Sequence, residues 1–155
     1  SFPTRRSSDL IEPLALVLHF CNTDEDRNKW VVYDCVMNIA EGQIVEQKSF
    51  KANTYKMLLA GFQWRSLEKG HSLKLIFKFY MEGNLVYTSV QDAVTNEPDS
   101  KDIFQQDFEV SSSMRLEGPN GVTSPFPAGR YEVELYLKTE ELDEHFVMRR
   151  TLDVR

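Results

Sequence analysis

The stretch from Leu73 to Met81 constrains this chain more than any other. Leu73, Leu75, Phe77, Phe79 and Met81 alternate with Lys74, Ile76, Lys78 and Tyr80. A period of two places the first set on one face of a strand and the second on the other. Glu82-Gly83-Asn84 follows, three residues that tolerate positive φ, and Leu85 to Val90 returns, so a hairpin with a short loop is expected. The same alternation closes the chain. Tyr131, Val133, Leu135 and Leu137 face one way and Glu132, Glu134, Tyr136 and Lys138 the other. The return strand carries Phe146, Met148, Leu152 and Val154 in register, with Arg150 as the exception. Glu132 and Glu134 stand where Arg149 or Arg155 can pair with them across strands.

Upstream, Leu14, Leu16, Leu18 and Phe20 share a face, while Ala15, Val17 and His19 make the opposite face apolar enough to be covered as well. Asn22 to Asn28 is polar and reads as a loop. A second strand runs from Trp30 to Ile39. Asn53 to Gly70 breaks the rhythm: Tyr55, Leu58, Leu59, Phe62 and Ser66 fall at helical spacing, with Asn53 or Thr54 as N-cap and Gly70 as stop. Gly61 weakens a helix in the middle. The segment fits a short helix near 54–68 and fits another strand about equally. Ile103 to Leu116 holds one or two weaker strands, and Gly118-Pro119-Asn120-Gly121 breaks the chain.

Short alternating strands with turns every 8–15 residues are the pattern of an all-β protein, a two-sheet sandwich of about 7–9 antiparallel strands. Pro127-Ala128-Gly129-Arg130-Tyr131, followed by alternating apolar residues, resembles the next-to-last strand of immunoglobulin-like domains. The resemblance implies a structural corner at Gly129 and Tyr131, with the tyrosine ring folded on the sandwich and its hydroxyl on an upstream backbone group. It covers roughly residues 125–155. The Cys–Trp–Cys signature of antibody domains is absent, since Val133 stands where the second cysteine would be. Leu14 to Phe20 and the 127–135 phrase are also similar to a group of small bacterial β-sandwich proteins of unknown function. That likeness implies no activity. The length fits a single β-sandwich domain over 11–155, and the likeness implies that its first strand or strands are missing.

The first ten residues, SFPTRRSSDL, resemble the translation of a short-read sequencing adaptor at every position, the last leucine codon beginning with its terminal CT. Such a run is set aside in reasoning about fold, and it points to assembled environmental reads and a bacterial source. Lys and Arg number 18 against 24 Asp and Glu, a net charge of −6; without the first ten residues the balance is 16 against 23. This acidic surplus argues against nucleic acid as partner, because phosphate contacts need clustered Lys and Arg. No apolar run is long enough for a membrane-spanning helix. With 41% hydrophobic residues the chain is far from the composition of disordered segments.

Catalytic constellations are thin. His19, His71 and His145 are not spaced with one another or with cysteine as metal ligands. Ser66-Leu67-Glu68-Lys69 fits Ser-x-x-Lys without the companion motifs of that chemistry. Asp24-Glu25-Asp26 lacks the ligand spacing of a calcium loop. No metal or cofactor is expected. If 14–20 and 31–39 pair as a hairpin, Cys35 falls opposite a residue near 16, too far from Cys21 for a bridge. Two free thiols are then expected, which fit a reducing cytoplasm. The aromatics Trp30, Trp64, Tyr80, Tyr87 and Tyr136 are the candidate contact surface. The expectation is a noncatalytic module that contacts other proteins; a carbohydrate-binding module with Trp30 and Trp64 as stacking platforms, or an enzyme whose site is purely geometric, are the alternatives.

Overall fold

The computed structural model describes residues 10–24, 31–38, 49–95, 110–118 and 121–155, with side chains excepted at 23–24 and 31–38. The protein is all-β, and its strands form two packed sheets. The first sheet has the order β2-β1-β4-β7, built from β1 (Ile11–Asp24), β2 (Val31–Asn38), β4 (Met57–Ser66) and β7 (Val110–Met114). The second has the order β3-β11-β10-β5-β6, from β3 (Ser49–Phe50), β5 (Ser72–Met81), β6 (Asn84–Val94), β10 (Gly129–Lys138) and β11 (His145–Val154). A small ribbon pairs β8 (Leu116–Glu117) with β9 (Thr123–Ser124). Every described pairing is antiparallel except β3 with β11, which is parallel.

The alternation in the sequence becomes the core. Leu73, Leu75, Phe77 and Phe79 of β5 and Tyr131, Val133, Leu135 and Leu137 of β10 point inward, against Leu16, Leu18 and Phe20 of β1 and Leu58, Ala60 and Phe62 of β4. Burying each large side chain stabilises the fold by about 1.5–3 kcal/mol. At one end Phe20 packs against Phe50 at 4.7 Å, Phe126 at 5.5 Å and Tyr131 at 6.0 Å between ring centroids. Arg150 is the inward-facing charge. It sits opposite Val133 in the ladder, and its Nε donates to the Leu16 carbonyl of the other sheet at 3.0 Å, which ties β11 to β1.

Three expectations change here. The segment near 54–68 is not a short helix: a turn over 52–54 leads into strand β4. Its inner residues Leu58, Ala60, Phe62 and Trp64 are buried, but so are Met57 and Gln63 on the other face. With both faces covered, the polar half of the period-two pattern disappears, and apolar residues fall by chance at helical spacing.

The hairpin register also differs. Asn22, Thr23 and Asp24, read as loop, continue β1 and pair with Tyr33, Val32 and Val31. Phe20 therefore lies opposite Val36, and a bulge follows, which brings position 35 beside position 21. Cys21 is disulfide-bonded, not a free thiol, and Cys35 is the chain's only other cysteine. Finally, Phe146 leaves the core register. A bulge between the Leu135–Met148 and Tyr136–Phe146 pairs turns Phe146 to the outer face, where it is 49% exposed.

The residues 1–9 that resemble an adaptor lie outside the described residues. Leu10 is described; it is buried, and its carbonyl accepts from the Leu67 N–H at 2.9 Å. No described helix is long and apolar enough to cross a membrane.

Candidate contact surface

Two features of the second sheet stand out, its outer face and its β6 edge. On the outer face the alternation brings Tyr80 from β5, Glu134 and Tyr136 from β10 and Arg149 from β11 side by side. Glu134 is the centre, only 7% exposed. It accepts from Arg149 Nε at 3.1 Å and Nη2 at 2.6 Å, from the Tyr136 hydroxyl at 3.2 Å, and from the Tyr80 hydroxyl. Arg149 also pairs with Glu132. The pairing expected for both glutamates thus falls to Arg149, while Arg155 turns to Asp153 at 3.7 Å. Lys78 lies over the Tyr136 ring at 4.2 Å and pairs with Glu144 at 3.2 Å.

This lattice sets the titration of its members. Burial pushes the Glu134 carboxyl up, but hydrogen bonds from Arg149, Tyr80 and Tyr136 outweigh it and hold the group below its ordinary value. The hydrogen bond to Glu134, then burial, raises the Tyr80 phenol to about 12. Burial, then the Glu134 charge, raises Tyr136. The face is therefore a network of paired charges and hydrogen-bonded aromatic rings.

The corner beside it is equally fixed. Tyr131 is buried and its hydroxyl donates to the Pro127 carbonyl at 2.6 Å. Burial, then the charge of Glu82, raises its phenol to about 12. The β5–β6 turn places Glu82 at φ 49° and Gly83 at φ 79°, the two positive values of a type I′ hairpin. Glu82 is held there by Arg130, whose N–H donates to the Glu82 carboxylate at 2.7 Å and whose carbonyl accepts from the Glu82 N–H at 2.8 Å. A Cβ at Gly129 would come within 2.5 Å of that carboxylate, so the position accommodates only glycine without displacing Glu82. A polar cleft of about 390 Å³ opens between this turn and Glu132, Arg149 and Thr151. Ligand pockets of that size are usually apolar; this one is walled by charges, among them the paired Glu132 and Arg149.

β6 is different in kind. Among the described residues it ends the sheet, and Leu85, Val86, Tyr87, Val90 and Val94 are all between 44% and 55% exposed. Across its 11 residues there is no Pro, Gly, Lys or Arg, and its one charge, Asp92, is paired with Lys74 at 2.9 Å. Soluble proteins usually blunt such an edge with charge, proline or a covering element. Here proline is missing, the single charge is held by Lys74, and a bulge leaves Val86 unmatched in the ladder with β5.

The sequence-derived contact residues scatter. Tyr80 and Tyr136 meet over Glu134. Tyr87 lies on β6, its ring 5.8 Å from Phe79. Trp64 is corrected: it is 3% exposed, stacked on Phe62 at 5.5 Å, with its indole N–H on Ser66 Oγ at 3.3 Å. Alternation from Leu58 carries it into the core. Trp30 lies outside the described residues, as do Glu25 and Asp26. Reading by sequence missed Leu85, Val86, Val90, Val94 and Phe146. Their signal was faint: apolar residues at both parities of a strand whose sheet position is not written in its own sequence.

His19 is buried on the outer face of β1, and burial holds its pKa below the ordinary value. His71 pairs with Glu68 at 3.0 Å, and His145 Nδ1 lies 3.1 Å from the Asp143 carbonyl. The described residues contain no group of three His, Cys, Asp or Glu side chains placed to hold a metal ion. What fold and surface define is an all-β sandwich with a closed polar face and an open strand edge. No protein-family model matches the chain, and no curated protein matches it significantly.

Proposed function

We propose that this chain is a noncatalytic β-sandwich module of immunoglobulin-like kind that makes protein–protein contacts, with β6 as its docking edge. The observation that carries this reading is the 11-residue β6, rich in exposed apolar side chains and, among the described residues, at the end of its sheet. Such an edge offers a row of main-chain donors and acceptors to an added strand, and its side chains give selectivity. Tyr, Phe and Arg on the adjoining outer face are the residue types enriched at protein interfaces. The order β11-β10-β5-β6 opposite β1-β4-β7 supports the immunoglobulin-like reading. It parallels a G-F-C sheet extended by one strand and packed on strands A, B and E, with β2 added beside the first. The Tyr131 hydroxyl on Pro127 supports it too.

The disulfide at Cys21 favours an oxidising compartment over a reducing cytoplasm. The carbohydrate reading loses Trp64 as a stacking platform, since its ring is buried.

Selection of strand-forming peptides from a displayed library, followed by amide-resonance mapping, tests the proposal. Enriched peptides are expected to be extended and weakly charged and to shift the amides of 84–94. Peptides that map elsewhere would refute the docking edge. A hydrolytic or transferase activity abolished by substitution of His19, His71 or His145 would refute the noncatalytic reading.

A further inference from the structure

We infer that the strand added to β6 is β6 of a second copy of this chain, antiparallel about a twofold axis at Val90. This rests on the reading of β6 as a docking edge and commits it to one occupant. The two five-stranded sheets then become one continuous ten-stranded sheet.

The argument is one of register. An antiparallel pair about a twofold axis perpendicular to the sheet keeps inner residues with inner and outer with outer, so the axis must pass through a residue position. With the axis at Val90, each position above it meets the position equally far below it in the second copy. Val90 meets Val90. Ser89 meets Gln91 and Thr88 meets Asp92, polar against polar. Tyr87 meets Ala93, a large ring over a small side chain, and Val86, the extra residue of the bulge against β5, meets Val94, both exposed valines. Cross-strand pairs of this kind are the unit of sheet stabilisation.

Moving the axis one position destroys the match. At Ser89, Val90 meets Thr88, Tyr87 meets Gln91 and Val86 meets Asp92. At Gln91, Val90 meets Asp92 and Thr88 meets Val94. Of these three registers, the one at Val90 joins apolar to apolar and polar to polar from Val86 to Val94. It also sets no like charges opposite each other, although the chain carries a net −6. The strand's only charge, Asp92, stays with Lys74 and faces a threonine hydroxyl. β6 is the longest of the described edges: β3 at the other end of its sheet has 2 residues, and β2 and β7 at the ends of the first sheet have 8 and 5.

Sedimentation velocity across a concentration series is the test, on the full chain and two variants. The wild type is expected to sediment as a dimer at higher concentrations. Val90→Lys sets two ammonium groups together on the axis and is expected to weaken the dimer by about tenfold or more. Val122→Lys, at a residue 57% exposed and off the β6 edge, is expected to leave it intact. Circular dichroism checks that both variants fold. A wild type that stays monomeric to roughly 200 µM, well above ordinary micromolar association, overturns the inference. So does a Val90→Lys variant that dimerises undiminished. If the wild type is monomeric while selected peptides still shift residues 84–94, the self-pairing fails and the docking edge survives; if the peptides bind elsewhere too, both fail.

Discussion

β4 and β6 are strands of nearly equal length, and neither alternates cleanly in sequence. The reasons are opposite. β4 is central in its sheet, and nine of its ten residues are buried or half-buried, Arg65 excepted. β6 is an edge strand with eight of its eleven residues exposed. In β4 the polar half of the pattern is missing because both faces are covered. In β6 the apolar residues fall on both parities, because burial does not hold either face to one character. Amphipathic alternation is a property of strands with one wet and one dry side. At the centre and at the rim of a sandwich that condition fails, and with it the signal.

The comparison breaks most directly by truncating one leucine in β4. Leu58 is 1% exposed and packed in the shared core. Leu58→Ala leaves a cavity where both sheets meet, at a cost of about 3 kcal/mol and a loss of roughly ten degrees in Tm. Thermal and urea unfolding measure both. A change under about 0.5 kcal/mol would mean that β4 is not the covered strand described here.

Comparable in size is the effect of opening the disulfide at Cys21, on the strand that pairs with β4. Cys35 being the only other cysteine, the closed loop is about fifteen residues, and constraining such a loop in the unfolded chain is worth about 3 kcal/mol. Thiol titration of the unfolded protein is expected to find no free cysteine before reduction and two after it. Two thiols without reductant would restore the free-cysteine expectation.

Tyr131 tests the covered side at finer grain. Tyr131→Phe keeps the ring packed against Phe20 and Phe126 but leaves the Pro127 carbonyl without its 2.6 Å donor. The expected loss is about 1–2 kcal/mol, read from urea melts at constant slope. A neutral substitution would show that ring packing alone holds the corner.

How far these features were legible follows the same physics. β5 and β10 lie where one side is dry and the other wet, and their inner faces and the hairpins they open could be read from alternating residues alone. Tyr131 was legible because glycine, a fixed spacing and an aromatic coincide. β4 was not, for the reason given above. The register of β1 with β2 was not, because Asn22, Thr23 and Asp24 are polar and look like loop, yet strand ends project beyond the core where polar residues cost little. Phe146 was lost to a single-residue bulge, which changes the face of everything before it. Tyr80 and Tyr136 announced themselves as aromatics on a polar face. Whether β6 is an edge depends on pairing partners distant in sequence, which no local pattern records.

The outer face of the second sheet lies between these extremes, polar but closed, and acid probes it. Glu134 is held below the ordinary glutamate value of 4.5 when folded, so its contribution to stability is present above that value and fades as pH falls through the lowered one. Urea midpoints of wild type and Glu134→Gln from neutral pH down to pH ~3 isolate its share. The variant is expected to start lower and to lose less on acidification. Parallel curves would show that Arg149 and the two tyrosines leave the carboxyl unaffected.

The smallest effect is expected from the substitution that mirrors the first. Leu85→Ala removes the same atoms as Leu58→Ala, from a side chain 52% exposed at the start of β6. In the dilute monomer it forms no cavity, because solvent occupies the space the side chain leaves. The change in unfolding free energy is then within about 0.5 kcal/mol, as for most surface positions. The two leucines differ only in where topology puts their strands, so the gap between their costs measures coverage and not residue type. Running the same melt at high concentration separates folding from association. Leu85 lies just outside the self-complementary stretch from Val86 to Val94, so its truncation should leave any concentration dependence of Tm unchanged, whereas Val90→Lys should reduce that dependence. A Leu85→Ala variant that lost several kcal/mol as a monomer would mean that β6 is covered, and the contrast with β4, together with the docking edge built on it, would fall.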